Sequence, residues 1–391
     1  MRVMKKMRHL AAVLLAASAA LMLSACWDRV ELDQVAIVMG LGVDAVSQAS
    51  LKVTAQIALP AKKSSDTSGA EGQGEKASAS VCTGTGKTVA DAITRGLYKD
   101  SPRRVYLAHT AVVVLGEGEA KAGISGVTDY LLRRQELREN TWILVGKPDA
   151  EEVLRMKMEG AAVPARSLAF MLENEVRVGN SRGTQLHIFA EALSDKTRAA
   201  TAAVIEVENE AGKPRLTISK TAVFKGDKMI GELDQKVTRG LMWVLGEVKG
   251  GSITVHSQCG TDCSIAVQAS YSRVTGRMQD GRPQVHIQVH VDGLLDSVTC
   301  ADDLTKPGVL EFLNDQQKRL VEQEISEALS EARRMDADIF GFGQAVHAGY
   351  RGDWKPLEDN WDSLFRETSV EVEVTTTLRH LSLLTRSAVP Q

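Results

Sequence analysis

Cys26 is the residue whose surroundings most clearly predict a chemical modification. It follows a basic N-terminal stretch and an apolar, Ala/Leu-rich run from residue 10 to about residue 23. That run is too short to span a bilayer and has the pattern of a secretory signal peptide. The ending Leu23-Ser24-Ala25-Cys26 resembles a bacterial lipobox, in which the cysteine thiol takes a diacylglycerol and becomes the new N-terminus. We therefore predict a lipoprotein signal peptide over residues 1–25, the alternative being an ordinary cleaved leader with an incidental cysteine.

Lipidation at Cys26 would place the mature chain outside the cytoplasm, tethered to a membrane by its acyl chains. No later apolar run reaches the length of a membrane span. The formal charge of the whole chain is −3, and the leader carries four basic residues and no acidic one, so the mature part is nearer −7. This mildly acidic balance argues against a nucleic acid as partner.

A glycine-rich segment, Gly84-Thr85-Gly86-Lys87-Thr88, resembles the end of a phosphate-binding P-loop. The full pattern needs a further glycine at position 81, where this chain has Val81. We interpret the segment as a turn in which Thr88 is the N-cap of the following helix.

We expect no catalytic centre, because the histidines do not fall into a recognisable nucleophile or metal arrangement. We expect no nucleophile elbow, and the sequence has no His-Glu-x-x-His helix. His286 and His290 fall on one face of a predicted strand, which could suit a metal, but an exposed polar strand face is the commoner arrangement. The prediction is therefore a protein that is not an enzyme and has no metal site and no cofactor.

Four further cysteines lie in the mature chain: Cys82, Cys259, Cys263 and Cys300. Outside the cytoplasm they could pair, and a disulfide that involves Cys259, Cys263 or Cys300 and reduced thiols remain alternatives. Cys82 fits a small apolar position in a strand.

An aromatic block near the C-terminus carries Asp338-Ile339-Phe340-Gly341-Phe342-Gly343, followed by Trp354 and Trp361. Glycines between aromatic residues permit tight backbone turns where large rings pack closely. In a chain with only 4% aromatic residues, two such tryptophans indicate an anchoring cluster. Its role is either a domain core or a surface that binds a partner.

The order of predicted elements indicates an α+β protein with more than one domain. Residues 26–213 alternate strands and helices, which predicts a mixed α/β region, with a polar insertion at residues 60–80. Residues 214–391 contain strongly β-forming strands, a long helix from about Val309 to Met335, and a closing strand at Ser369–Leu378. We therefore predict a C-terminal α+β domain, with an antiparallel sheet packed by the long helix.

These motifs resemble, in order, those of the Ger(x)C family, the lipoprotein C subunits of spore germinant receptors. The resemblance begins with Cys26-Trp27-Asp28-Arg29 and the apolar segment that ends at Asp44, and it covers nearly the whole mature chain. It includes Leu107-Ala108-His109, the segment from Lys228 to Leu233, and the Asp338–Gly343 block followed by Trp354 and Trp361. The long insertion at 60–80 departs from the family pattern, as does the ending Leu378-Arg379-His380, where a glycine is expected.

The resemblance implies a three-domain α+β lipoprotein of the spore inner membrane that works with two integral-membrane partners, an A subunit and a transporter-like B subunit. We therefore predict a non-enzymatic, lipid-anchored subunit of a nutrient receptor that is needed for spore germination. Large aromatic residues dominate interface energetics, so the predicted partner contacts are Trp27, Asp28, Arg29, Trp354 and Trp361. The alternative is a solute-binding lipoprotein that captures a small nutrient and presents it to a membrane transporter, which would need a polar-lined cleft between two lobes.

Overall fold

The fold of the protein comes from a computed structural model, which describes residues 2–23, 31, 34–47, 49–59, 78–100, 103–158, 160–298 and 307–379. Several predicted features lie outside the described residues: Cys26, Trp27, Asp28, Arg29, Cys300 and most of the polar insertion, residues 60–77. The last residues of that insertion already belong to a strand that begins at Ser78.

The strands, in chain order, are β1 Val35–Ser47, β2 Ser50–Leu59, β3 Ser78–Gly86, β4 Arg104–Tyr106, β5 Val112–Gly116, β6 Trp142–Lys147, β7 Thr184–Gln185, β8 Ala200–Glu210, β9 Lys213–Lys225, β10 Lys228–Leu233, β11 Ser252–His256, β12 Asp262–Gln279, β13 Arg282–Val298 and β14 Ser369–Arg379. The helices are α1 Arg2–Leu23, α2 Val89–Asp91, α3 Tyr98–Asp100, α4 Glu117–Ala122, α5 Ser125–Leu132, α6 Ala150–Arg155, α7 Pro164–Val178, α8 Leu186–Ser194, α9 Gln235–Leu245, α10 Pro307–Met335, α11 Phe342–Gly349, α12 Lys355–Asp359 and α13 Trp361–Glu367. A π-helical turn, Ala92–Leu97, joins α2 to α3. Within the described part of the chain, no helix combines the length and apolarity needed to cross a membrane.

The first sheet has ten strands in the order β10-β9-β8-β6-β5-β1-β2-β3, with β4 beside β1 and β7 beside β6. Its central pairs, β1 with β5, β5 with β6 and β6 with β8, run parallel, and its flanking pairs run antiparallel. Strand β5 is buried along its whole length, as expected for a parallel strand covered on both faces. Val113 and Leu115 face one core cluster, whereas Val112 and Val114 face another, which α6 and α7 complete.

The glycine-rich segment at the end of β3 packs against the helix that follows. A Cβ atom on Gly84 would lie 2.3 Å from the Ala92 carbonyl oxygen, and one on Gly96 would lie 2.2 Å from the Gly84 Cα atom. The Asp91 N–H donates to the Thr88 hydroxyl at 3.1 Å, which confirms the predicted N-cap. The glycines therefore allow a close strand–helix contact, and nothing in this geometry requires a phosphate.

The second sheet has four strands in the order β11-β12-β13-β14. Apolar residues alternate along β13, and those at Val285, Ile287, Val289 and Val291 are buried in the core that α9 and α10 complete. The predicted α+β class and the long helix packed on a C-terminal sheet are confirmed.

One pair of this second sheet differs from the predicted antiparallel arrangement. Strands β11, β12 and β13 are mutually antiparallel, but β14 runs parallel to β13. The reason is the connection, because the chain passes through α10–α13 and returns to the end of the sheet at which β13 begins. A crossover of this length is what a parallel pair requires.

Sheet membership divides the described chain into two lobes. Strands β9 and β10, which follow Pro214, are hydrogen-bonded to β8 and complete the first sheet. The expected domain boundary at 213/214 therefore falls inside a hairpin, and α9 is the first element that packs in the second core. We call residues 34–233 the first lobe and residues 235–379 the second lobe.

Candidate functional site

Asp338 lies at the centre of the aromatic block, with its carboxylate fully enclosed. Its Oδ1 atom accepts hydrogen bonds from the backbone N–H groups of Phe340, Gly341 and Phe342 at 2.9–3.2 Å. Its Oδ2 atom accepts from the Gly343 N–H at 2.9 Å. The chain can turn around the carboxylate because Gly341 adopts a φ of 78°, which a glycine tolerates readily. Asp338 therefore supplies acceptors to N–H groups that would otherwise be unsatisfied at the start of α11.

Trp361 completes the ring of donors around Asp338. Its Nε1–H donates to Oδ2 at 3.1 Å, and the residue is only 2% exposed. The predicted role of Trp361 as a partner contact is therefore corrected, because a buried indole held by an internal hydrogen bond cannot contact another protein without local unfolding. Trp354 is half-buried and stacks on His347, with ring centroids 4.5 Å apart. Its role as a partner contact stays a prediction.

Burial changes the ionisation of Asp338. Removal from water raises the pKa of its carboxyl from 3.8 to about 6, against the opposing effect of the backbone and indole donors. The carboxyl therefore titrates near neutral pH. Because all five of these donors belong to the protein itself, the place of Asp338 in the fold is that of a structural acceptor.

The same block joins the second lobe to the first. The Ala199 N–H donates to the Asp338 carbonyl oxygen at 2.8 Å, and the Gln344 amide donates to Asp195 Oδ2 at 2.8 Å. A Cβ atom on Gly343 would lie 2.4 Å from the side chain of Thr197. The loop before β8 therefore lies directly on the Asp338–Gly343 segment, and position 343 has no room for a side chain.

Two basic residues add contacts between the lobes. Lys225, at the end of β9, donates to the Asp336 carbonyl at 2.8 Å and pairs with Asp336 and Asp362 carboxylates at 2.9 Å. Arg182 is 5% exposed, and its guanidinium contacts both carboxylate oxygens of Glu247 at 3.2 and 3.3 Å. Neither residue was predicted from the sequence, because their partners lie 65–137 positions away along the chain.

A third internal ion pair holds the two long elements of the second lobe together. Glu324 of α10 is fully buried and accepts from Arg239 Nε at 2.9 Å and from Trp243 Nε1 at 2.8 Å. A Cβ atom on Gly240 would lie 2.0 Å from the Glu324 carbonyl oxygen, so α9 and α10 are in backbone contact. The polar contacts at the lobe junction and between α9 and α10 therefore stabilise the fold.

The sequence contains one pattern with the spacing of a nucleophile elbow, contrary to expectation: Gly179-Asn180-Ser181-Arg182-Gly183. A true elbow presents its serine on a turn from a strand to a helix. Here the segment follows α7 and precedes β7, and Gly179 is the C-cap of α7. Ser181 is fully buried and its hydroxyl donates to the Lys220 carbonyl at 2.8 Å. The serine is therefore a structural donor.

The two histidines of β13 interact with their neighbours in the sheet. His290 lies 3.0 Å from the Thr375 hydroxyl and 3.4 Å from Asp292, and His286 lies 3.7 Å from Glu373. Among the described residues no group of three or more His, Cys, Asp or Glu side chains is placed to hold a metal ion.

The cysteines have different environments. Cys259 is disulfide-bonded, one of the alternatives left open by the sequence. Cys263 is fully buried in the second core, and Cys82 packs against the first. A disulfide is typical of proteins that mature outside the cytoplasm.

A cavity of about 1070 Å³ lies between α7 and β9 of the first lobe, and Gln235 of the second lobe also contributes to its lining. Its apolar lining includes Met156, Met158, Met171, Leu216 and Ile218. Its mouth is rimmed by Lys213 and Arg215, which are exposed. Polar side chains, among them Glu175, Asn180 and Gln235, share this lining. The described junction around Asp338, in contrast, is filled by side chains.

Comparison with known proteins gives a consistent result for both lobes. A family model described as "Spore germination protein N-terminal domain" matches residues 28–207, and one described as "Spore germination B3/ GerAC like, C-terminal" matches residues 219–382. Spore germination protein KC of Bacillus subtilis (strain 168) is 26% identical over 382 residues, covering 93% of each chain. Spore germination protein B3 of the same organism is 23% identical over 359 residues, covering 90% of this chain and 93% of the relative.

A solved structure shares the fold. The crystal structure of the GerBC protein superposes with a TM-score of 0.55 at 18% identity, covering 87% of this chain and 96% of that one. The two proteins therefore share the overall fold.

Proposed function

The chain belongs to the GerAC-like family of spore germination proteins, and we propose that it is a lipid-anchored, non-enzymatic subunit of a germinant receptor at the spore inner membrane. Its partners in this proposal are the integral-membrane A and B subunits of the receptor. Residues 1–25 would be removed as a signal peptide, and the mature protein would be needed for germination in response to a nutrient.

The observation that carries the proposal is the short distance along the chain between Cys26 and the first sheet. Strand β1 begins at Val35 and lies in the interior of the ten-stranded sheet. The eight residues between them span at most about 30 Å when fully extended. A lipid on Cys26 would therefore keep the first lobe close to the bilayer, within reach of integral-membrane partners.

The packing of the polar residues supports a role without catalysis. Burial raises the pKa of the Asp338 and Asp44 carboxyls, and both accept hydrogen bonds from backbone N–H groups of the protein itself. The nucleophile-like Ser181 donates internally and is buried. In this proposal the protein acts by presenting surfaces, with Trp27, Asp28, Arg29 and Trp354 as partner contacts.

The packing at the lobe junction around Asp338 counts against the nutrient-binding alternative. There Thr197, Gly343 and Trp361 are packed against one another, and a Cβ atom on Gly343 would lie 3.0 Å from the Trp361 ring. The geometry therefore favours two lobes in fixed contact over two lobes that close on a ligand.

The lipid anchor can be tested by labelling. Sporulating cells that express the chain would be fed a palmitate analogue, and Cys26→Ala would be compared with Cys82→Ala as a thiol-matched control. The proposal expects label and detergent-phase partitioning in the wild type and in Cys82→Ala, and neither in Cys26→Ala. Label that persists in Cys26→Ala would refute lipidation at this residue.

A further inference from the structure

Strand β14 forms the outer edge of the second sheet. It pairs with β13 over its whole length, from Ser369 to Arg379, and no described strand pairs with its other side. An edge of eleven residues presents backbone N–H and C=O groups along roughly 36 Å. Such an edge is a template on which another extended chain can add a strand.

A groove runs beside this edge and would receive the side chains of an added strand. A cavity of about 540 Å³ lies between β14 and α10. Val370 and Val372 form its strand side and are only half-buried, whereas Val374, further along, is 2% exposed. Its helix side carries Leu329 together with polar residues: Glu322, Ser326, Ser330 and Arg333. The groove therefore suits small apolar side chains that alternate along an extended segment.

The opposite face of the sheet carries an ordered change of charge from strand to strand. Arg273 and Arg277 lie on β12, and Glu371 and Glu373 lie exposed on β14. Between these two rows β13 presents Gln284, His286 and Gln288. Glu373 accepts from the Gln288 amide at 2.9 Å. Among the described residues no lysine or arginine is within 4.0 Å of either glutamate. The acidic row at the edge is thus two strands, or about 10 Å, from the basic row on β12.

We propose that β14 is a docking edge for an extended segment of a partner protein in which apolar residues alternate with lysine or arginine. Its apolar side chains enter the groove beside Val370 and Val372. Its basic side chains lie next to Glu371 and Glu373, one strand spacing away, where opposite charges in cross-strand pairs are stabilising. A second copy of this chain is disfavoured as the occupant, because pairing β14 with β14 would place the glutamates of both copies together.

The proposal can be tested with synthetic peptides and the full-length chain in detergent. The probe is a short labelled peptide in which valine and lysine alternate, and its control is the same peptide with glutamate in place of lysine. We expect the wild type to bind the valine–lysine peptide and to bind the control at least about tenfold more weakly.

A charge reversal on the chain makes the test specific. Glu371→Lys with Glu373→Lys changes two exposed side chains and leaves the core face of β14 unchanged, so folding should be retained. This variant should exchange the preference and bind the valine–glutamate peptide. The matched control, Glu173→Lys with Glu208→Lys, alters exposed glutamates of the first lobe and should bind as the wild type does.

Three results would overturn the proposal. The first is failure of the wild type to bind the valine–lysine peptide, and the second is equal binding of both peptides. The third is binding that appears only after deletion of residues 380–391, which would make the chain's own C-terminal segment the occupant of the edge.

Discussion

The Trp361 indole donates a hydrogen bond to the Asp338 carboxylate at 3.1 Å, across 23 residues of sequence. This contact joins the start of α13 to the turn before α11, and the Asp338 carbonyl in turn accepts from Ala199 of the first lobe. The Asp338–Gly343 segment and Trp361 therefore form a structural junction between the lobes, and of the two tryptophans in the aromatic block only Trp354 is half-buried and stays a proposed partner contact.

Removing the Asp338 carboxylate should destabilise the protein strongly. Asp338→Ala leaves buried backbone N–H groups and the Trp361 indole without an acceptor, and each such group costs about 1–3 kcal/mol. We expect the free energy of unfolding to fall by about 3 kcal/mol or more, measured by chemical denaturation. Asp315→Ala removes an exposed carboxylate from α10 and serves as the control, with a change within about 0.5 kcal/mol. Equal effects of the two substitutions would contradict the role of Asp338.

The raised pKa of Asp338 predicts a pH dependence of stability. Because the carboxyl has a pKa of about 6 when folded and 3.8 ordinarily, the folded state binds the proton more tightly. The resulting stabilisation is fully present below 3.8 and is lost as the pH rises through about 6.

The measurement compares the unfolding free energies of the wild type and Asp338→Asn at several pH values. The unfolding free energy of the wild type minus that of Asp338→Asn should increase as the pH is lowered from about 7.5 to about 5. If this difference stays constant or decreases on acidification, the carboxylate stays ionised in the folded protein.

The contact between Gly343 and Thr197 predicts a size-dependent defect at the lobe junction. Gly343→Ala places a Cβ atom 2.4 Å from the Thr197 side chain, and overpacking of this kind costs about 1–3 kcal/mol. Adding Thr197→Gly removes the obstructing atoms and should recover part of the lost unfolding free energy. If the double variant is no more stable than the additive sum of the two single changes, the two positions are not coupled as described.

Arg182 is buried, whereas the side chain of its partner Glu247 is 38% exposed. Arg182→Met keeps much of the side-chain volume but removes the guanidinium that donates to Glu247, Thr184 and Thr201, so we expect a loss of about 1–3 kcal/mol. Arg133→Met breaks an exposed pair with Asp129 within one helical region and should destabilise the protein much less. Thermal unfolding of the two variants side by side measures the difference in Tm. Similar decreases in Tm for both variants would count against a stabilising Arg182–Glu247 contact between the lobes.

Local sequence patterns predicted the strands and helices that pack by burying one apolar face. The alternation from Val285 to Val291 predicted β13 and its core face, and Thr88 predicted a helix start. Apolar residues at helical spacing over residues 120–134 favour one helix, but the structure has two, α4 and α5, divided at Gly123, which has a φ of 132°. The Ile124 N–H there donates to the Asp227 carbonyl of a distant hairpin, a contact that no local pattern contains.

The long-range polar contacts could not be predicted from the sequence, except that the position of Glu324 indicated a buried partner. Glu324 falls on the apolar stripe of α10 next to Val321, Ile325 and Ala328, all fully buried. A carboxylate at such a position needs a partner in the core, which the structure supplies as Arg239 and Trp243. The direction of β14 had no comparable signal, because it depends on how the whole α10–α13 connection crosses the sheet.

The most direct measurement is the nutrient response of spores that carry Cys26→Ala, with and without a substitute anchor. The substitute is a single membrane-spanning helix fused ahead of Trp27. The account predicts that Cys26→Ala spores lose the protein from the inner membrane and lose the response, and that the substitute anchor restores both. A normal response from Cys26→Ala spores whose protein is no longer in the membrane fraction would contradict a tethered receptor subunit.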